Sequence, residues 1–171
     1  DRVKKLTLSA TMELDAKAKA MIADAEDVIN LTAGEPDFDP PNDVLLATCQ
    51  AAISGRTKYT AAKGGRELLN LLASYFSLVL ETDVKNADVM VTPGGKIACF
   101  WPLFATVNPG DEVIILKPYW TSYPAMVELC GGTPVYFDYR QLGAKDNDGY
   151  VLEKIITDKT KAIIINSPNN P

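Results

Sequence analysis

Three short segments of this 171-residue chain combine residue types that can hold a ligand. Thr92-Pro-Gly-Gly-Lys96 puts two glycines where a strand gives way to a helix. Glycine lets the main chain come close to a bound group, and a new helix offers N–H groups and the positive end of its dipole. With Lys96 beside them, this is the composition of a phosphate cup, although Gly-Gly at such a turn is more often structural. Lys117-Pro-Tyr-Trp120 stands two large aromatic side chains at the end of a second strand. They suit a shelf for a planar ring, or a plain hydrophobic cap, and Lys117 reads as solvated rather than catalytic. Asn166-Ser-Pro-Asn-Asn-Pro171 brackets Asn169 and Asn170 between prolines. A fixed amide can bond a phenolic oxygen or a carboxylate without carrying charge, or it can simply close the loop. Together the three describe a site for a planar, phosphorylated aromatic ligand. That points to pyridoxal 5′-phosphate better than to a dinucleotide, because a Rossmann site needs G-x-G-x-x-G after its first strand and no such glycine pattern occurs.

Composition narrows the chemistry. There is no histidine, so Ser-His-Asp and Cys-His arrangements and His-ligated metal sites are excluded, and no metal site is expected. Acid–base work near neutral pH falls to Lys, Tyr, Cys, a shifted carboxylate or a cofactor. Cys49, Cys99 and Cys130 are odd in number and far apart, with no C-x-x-C, which reads as thiols in a reducing compartment and gives a cytoplasmic location. A net charge of −5 makes nucleic acid and anionic membranes poor general partners. An apolar share of 47% and a charged share of 23% are ordinary globular values that exclude a disordered chain or a coiled coil. No run approaches the roughly 18 apolar residues of a membrane helix.

These loops need strands and helices to position them. Helices are expected over 11–26, 43–54 (with Gly55 at its C-cap), 66–80, 96–107, 121–129 and 151–156. In the helix over 66–80, Leu68, Leu72, Tyr75, Phe76 and Val79 fall on one face. Strands are expected over 28–31, 88–92, 112–117, 133–138 and 162–166, with Val113-Ile-Ile-Leu116 and Ile163-Ile-Ile165 buried on both faces. Residues 141–149 read as a polar loop. Strands alternating with helices mean an α/β fold with a mainly parallel sheet and helices on both faces, and ligands bind at the C-terminal ends of such strands. The chain stops just after a strand that belongs inside a sheet, so a longer protein is expected.

Taken in order, the motifs resemble those of class I/II aminotransferases, the fold type I pyridoxal-phosphate enzymes related to aspartate aminotransferase. The matching segments are Leu31-Thr-Ala-Gly-Glu-Pro-Asp-Phe38, Thr57-Lys-Tyr-Thr60 with Gly64-Gly65, Val91-Thr-Pro-Gly-Gly-Lys96, Asn108-Pro-Gly-Asp-Glu-Val113, Pro118-Tyr-Trp120 with Ser122-Tyr-Pro124, and Asn166 to Pro171. The resemblance covers the chain from about Leu31 to its end. It implies that residues 1–38 form an N-terminal arm and small-domain segment, and that residues 39–171 form the first half of the large cofactor-binding domain.

The resemblance also implies roles. Gly94, Gly95 and Lys96 hold the cofactor phosphate, Trp120 stacks on the pyridine ring, and Asn170 bonds the ring hydroxyl and helps hold the substrate carboxylate. Gly34 lies close to that carboxylate. Tyr59 reaches the phosphate of the neighbouring subunit, which implies a homodimer. The expected reaction is amino transfer between an amino acid and a 2-oxo acid. The family's Schiff-base lysine follows a later motif, and none of Lys58, Lys63, Lys96 or Lys117 fits it. No catalytic residue is therefore assigned in this chain, which by itself is expected to be inactive. Rival readings are another reaction on the same scaffold, such as a C–S lyase, a non-catalytic fragment supplying only fold and dimer contacts, and a nucleotide-binding α/β domain.

Overall fold

The computed structural model describes residues 10–32, 34, 36–146 and 149–170. Along the chain run α1 (Ala10–Ala23), α2 (Asn42–Ile53), α3 (Arg66–Val79), α4 (Gly95–Thr106), β1 (Glu112–Lys117), α5 (Ser122–Cys130), β2 (Thr133–Asp138), β3 (Lys145–Asp146), β4 (Gly149–Tyr150) and β5 (Thr160–Ile164). The chain divides into two compact units, residues 1–35 with 99–171, and residues 36–98.

In the first unit, β1 lies between β2 and β5, and both pairings are parallel. All six β1 residues, Glu112 to Lys117, sit beside Thr133 to Asp138 in register. Val113, Ile114 and Ile115 sit beside Ala162, Ile163 and Ile164. Period-two alternation sends the β1 side chains to opposite faces. Val113 and Ile115 pack with Leu103 of α4, with Val107 just after it, and with Tyr123, Met126, Val127 and Cys130 of α5. Ile114 and Leu116 pack with Phe137, backed by Val135, Val151, Leu152 and Ile155. The strand is thus buried on both faces, as its unbroken apolar run requires. Two helices cover one face, and a 3₁₀ turn, Glu153–Ile155, stands on the other where a short helix was expected.

Turn chemistry fixes how α5 meets the sheet. The helix ends on Gly131 at φ +90°, the left-handed position where a glycine costs least. At Gly132 a Cβ would stand 2.7 Å from Val107 Cγ1 and 3.1 Å from Val127 Cγ1, so only a glycine lets β2 start this close to α4 and α5.

β5 departs from its expected burial. Ile163 is 37% exposed and Ile165 lies beyond the strand at 69%. Among the described residues β5 pairs with β1 alone, so only Ala162 and Ile164 reach the core cluster, on the side of α4 and α5. Residues 28–31 form no strand. Their segment is held to α1 by side chains instead: Asn30 Nδ2 donates to Asp15 Oδ1 at 2.9 Å and Thr32 Oγ1 stands 3.3 Å from the same oxygen. The 141–149 loop contains the β3–β4 pair, Lys145 beside Tyr150 and Asp146 beside Gly149. Asn147 and Asp148 at its tip are outside the described residues.

The second unit is built on α2 and α3. The buried stripe of α3 is Leu69 and Ala73, with Leu72 at its edge, packed on Val84, Val89 and Val91. Of the face expected from spacing, Leu68, Tyr75, Phe76 and Val79 stay exposed. The helix is apolar over more than half its circumference, so spacing admits two stripes. The return of the chain selects one of them. Ser77 Oγ accepts the Val84 N–H at 2.9 Å, turning residues 84–91 back along Leu69 and Ala73. The expected strand over 88–92 is absent too: Asn86–Asp88 is a 3₁₀ turn, and the Val91 N–H donates to the Lys63 carbonyl at 2.8 Å rather than to a neighbouring strand. α2 buries no residue.

Candidate functional site

Parallel pairing brings the C-terminal ends of β2, β1 and β5 to one edge of the sheet in the first unit. The loop after β1 begins at Pro118 and carries Trp120 to the threshold of α5, where the Tyr123 N–H donates to the Trp120 carbonyl at 3.0 Å. The Trp120 ring meets the Tyr123 ring edge to face, with centroids 5.5 Å apart and planes at 90°. It packs on the same cluster as Cys99 and Phe100 of α4. Tyr123 is buried, and burial pushes its phenol above the ordinary value, with Cys99 adding to the rise. Trp120 is therefore a half-buried ring braced from behind by a neutral phenol.

The loop after β5 comes alongside. Asn169 Nδ2 donates to the Pro118 carbonyl at 3.1 Å, joining two loops 51 residues apart in sequence. The Asn166 amide, oriented to satisfy both its ends, accepts the Asn170 N–H at 3.0 Å and donates to the Pro168 carbonyl at 3.2 Å. The turn is closed internally, and the Asn170 side chain is left exposed at the sheet edge. Pro171 is outside the described residues. Two of the three ligand-type loops thus meet: the aromatic shelf and the fixed amide sit on adjacent parallel strands.

The Gly-Gly loop belongs to the second unit and opens α4. Gly94 has φ +89°, a conformation that disfavours any side chain. Its N–H is taken by the Thr92 carbonyl at 2.8 Å, and Thr92 Oγ1 donates to the Gly94 carbonyl at 3.0 Å. The first N–H bonded within the helix, from Ala98, returns to the Gly94 carbonyl at 3.3 Å. α4 therefore opens at Gly95, and its first-turn amides precede the intrahelical ladder. Among the described residues, no heavy atom beyond the adjoining chain lies within 4 Å of where a Cβ would stand on Gly94 or Gly95. Lys96 is exposed.

Tyr59 is in the second unit with its side chain fully exposed. Gly34 is exposed in the first unit, between Ala33 and Glu35, which are outside the described residues. The segment leading to it is pinned by Asp15, which accepts from Lys19, Asn30 and Thr32. The Lys19 ammonium, then the Asn30 amide, hold that carboxyl below its ordinary value.

Comparison with known proteins decides the family. The family described as aminotransferase class I and II matches residues 26–171. This chain belongs to that family. A probable aspartate/prephenate aminotransferase of Rhizobium leguminosarum bv. phaseoli is 43% identical over 171 residues, 100% of this chain and 43% of that protein. An aspartate aminotransferase of Bacillus subtilis is 42% identical over 174 residues, 99% of this chain and 43% of that protein. The structure of the Thermus thermophilus aspartate aminotransferase with maleate superposes with a TM-score of 0.90 at 41% identity, covering 99% of this chain and 44% of that one. As a class I and II aminotransferase chain, it spans less than half the length of the relatives it matches.

Two groups at this edge, Tyr136 and Asp138, carry no signal in the motifs, and Asn169, named with its loop, has a partner that the loop alone does not reveal. Asn169 bonds Pro118. Tyr136 of β2 stacks on Tyr119, with ring centroids 5.2 Å apart and planes at 17°. Asp138, at the end of β2, accepts from the Arg140 N–H at 3.0 Å and from its guanidinium. The Arg140 bonds, with Lys117 charge as a smaller contribution, draw the Asp138 carboxyl down to about 2. Strand order is the missing signal. Nothing in the linear sequence says that β2 and β5 flank β1.

Proposed function

We propose that this chain holds pyridoxal 5′-phosphate as part of an aminotransferase that moves an amino group between an amino acid and a 2-oxo acid. The residues fit such a group. Trp120 offers a braced aromatic ring, Asn170 an exposed uncharged amide, and Gly94 and Gly95 a glycine main chain at a helix start. Under this reading, Gly95 and Lys96 with Gly94 take the phosphate, Trp120 orients the ring, and Asn170 bonds its hydroxyl and the substrate carboxylate, with Gly34 nearby. When bound, the cofactor supplies an electron sink for charge left at the amino acid's Cα. The work of this chain's residues is positioning and electrostatics, and no lysine among them is assigned to proton transfer.

The observation that supports the reading most directly is the bond from Asn169 to Pro118, which sets the Trp120 and Asn170 loops side by side. The likeness to aspartate aminotransferases adds to it. The same proposal includes a cytoplasmic homodimer in which Tyr59 serves the neighbouring subunit, an N-terminal arm and small-domain segment in residues 1–38, and the first half of the large domain in residues 39–171. Full exposure of the Tyr59 side chain is consistent with a role toward a neighbour.

The test is made on the full-length protein. Trp120→Ala and Asn170→Ala are each expected to weaken pyridoxal phosphate retention about tenfold, the loss of roughly 1.4 kcal/mol of stacking or hydrogen bonding. Equilibrium dialysis measures it, beside an assay of amino transfer from an amino acid to a 2-oxo acid. Unchanged retention in both variants refutes the site. Release of ammonia and pyruvate without amino transfer would favour the lyase chemistry.

A further inference from the structure

Trp120 lies in the loop after β1, its ring braced by Tyr123. The loop from Pro118 to Trp120 leaves β1 at its C-terminal end, where ladder hydrogen bonds stop, and its main chain needs neighbouring strands to restrain it. Both neighbours do. From β5, the Asn169 amide takes the Pro118 carbonyl at 3.1 Å. From β2, the Tyr136 ring lies nearly parallel to the Tyr119 ring, 5.2 Å between centroids. These contacts reach the two residues that immediately precede Trp120, from opposite sides of β1, because the strand order is β2-β1-β5. Neither Asn169 nor Tyr136 is assigned to the cofactor. We propose that Asn169 and Tyr136 are positioning residues that hold the Pro118 carbonyl and the Tyr119 ring and so set the Trp120 ring before any ligand arrives.

Two further facts agree with this. The Tyr136 phenol is pushed up to about 12, first by burial and then by the Tyr119 phenol beside it. Asn169 is exposed, so its bond to Pro118 is not a requirement of core burial. An exposed amide that bridges 51 residues for one carbonyl restrains the loop rather than the fold. The clamp deepens the cofactor reading and rests on it for its purpose, but the restraint itself needs no cofactor. A ring fixed in advance loses less freedom on binding, which favours affinity.

The experiment reads Trp120 directly. The full-length protein is expressed with 5-fluorotryptophan, and the Trp101 and Trp120 fluorine resonances are assigned by Trp101→Phe and Trp120→Phe. In the parent, the Trp120 line is expected as a single line far from its position in urea. Asn169→Asp, whose carboxylate cannot donate to Pro118, and Tyr136→Ala are each expected to shift the Trp120 line at least a third of the way toward the urea position, or to split it. The Trp101 line stays in place. Tyr136→Phe keeps the stacked ring and is expected to stay closer to the parent than Tyr136→Ala. An unmoved Trp120 line in Asn169→Asp overturns the proposal, as does a parent line already at the urea position. If Tyr136→Ala does not fold, Asn169→Asp with Tyr136→Phe still decides. Pyridoxal phosphate uptake is measured separately. A line that responds in a protein that never takes up the cofactor sinks the functional reading and leaves the clamp, and the converse sinks the clamp alone.

Discussion

Asp138 shows how a single residue at this edge is tuned. Its carboxylate accepts from the Arg140 backbone and guanidinium, and the side-chain pair closes at 2.5 Å. The bonded, charged form is favoured, so the folded value falls to about 2 from an ordinary 3.8. The pair's stabilising contribution is present above the ordinary value, where both states are ionised. It is lost as pH falls through about 2, where the folded carboxylate also protonates. A carboxyl-detected NMR titration is expected to show Asp138 with a midpoint near 2. In Arg140→Ala the midpoint should return toward 3.8. A wild-type midpoint at 3.8 would break the assignment of this pair. The group is solvent-exposed, so salt should weaken the shift. Beside it, Lys117 stands next to Asp138 in register, which places opposite charges at the mouth of the same two strands.

At the scale of elements, β1 and β5 carry similar apolar runs and have opposite fates. Ile114 is fully buried between two packed layers, while Ile163, its register partner on β5, is 37% exposed. Truncating a core isoleucine to alanine removes its transfer free energy and leaves a cavity, about 2–5 kcal/mol. A partly exposed side chain gives up less on both counts. Ile114→Ala is therefore expected to cost about 2–5 kcal/mol in denaturant unfolding and Ile163→Ala about 1 kcal/mol. Equal losses would mean that β5 is covered as fully as β1. Apolar spacing predicted both strands and could not rank them, because a three-isoleucine run reads alike at a sheet's centre and at its edge. The same ambiguity put the wrong face of α3 in the core. A helix with Leu68, Leu69, Leu71 and Leu72 in one turn has no single stripe until another segment packs on it.

Across the whole molecule, protection is uneven. The first unit has a core in which Val113, Ile114, Ile115 and Val127 are fully buried, whereas the second has Leu69, Ala73 and Val89 as its cluster and a helix, α2, with no buried residue. Local opening costs least where few apolar contacts must break. Hydrogen exchange is expected to be slowest in the β1 amides and fastest, among the helices of the second unit, in those of α2, by at least tenfold relative to α3. Matching rates in α2 and α3 would contradict this. α2 also carries exposed apolar side chains, Leu46 at 63% and Ile53 at 88%.

Much of the site was legible from residue types alone. Gly94-Gly95 at a helix start, and Trp120 and Asn170 in loops after strands, have few reasons to occur there except geometry or ligand binding, and their chemistry is local: a left-handed φ, an aromatic ring, a fixed amide. The central strand was legible for the same reason, since four consecutive apolar residues can be buried only between two layers. Tertiary structure alone decided which strands are neighbours, and with that everything that depends on adjacency. Asn169 reaching Pro118, Tyr136 stacking on Tyr119 and the exposed flank of β5 are contacts between segments distant along the chain. Hydrophobic spacing records which side of an element is apolar, and it carries no record of the element that will stand against it.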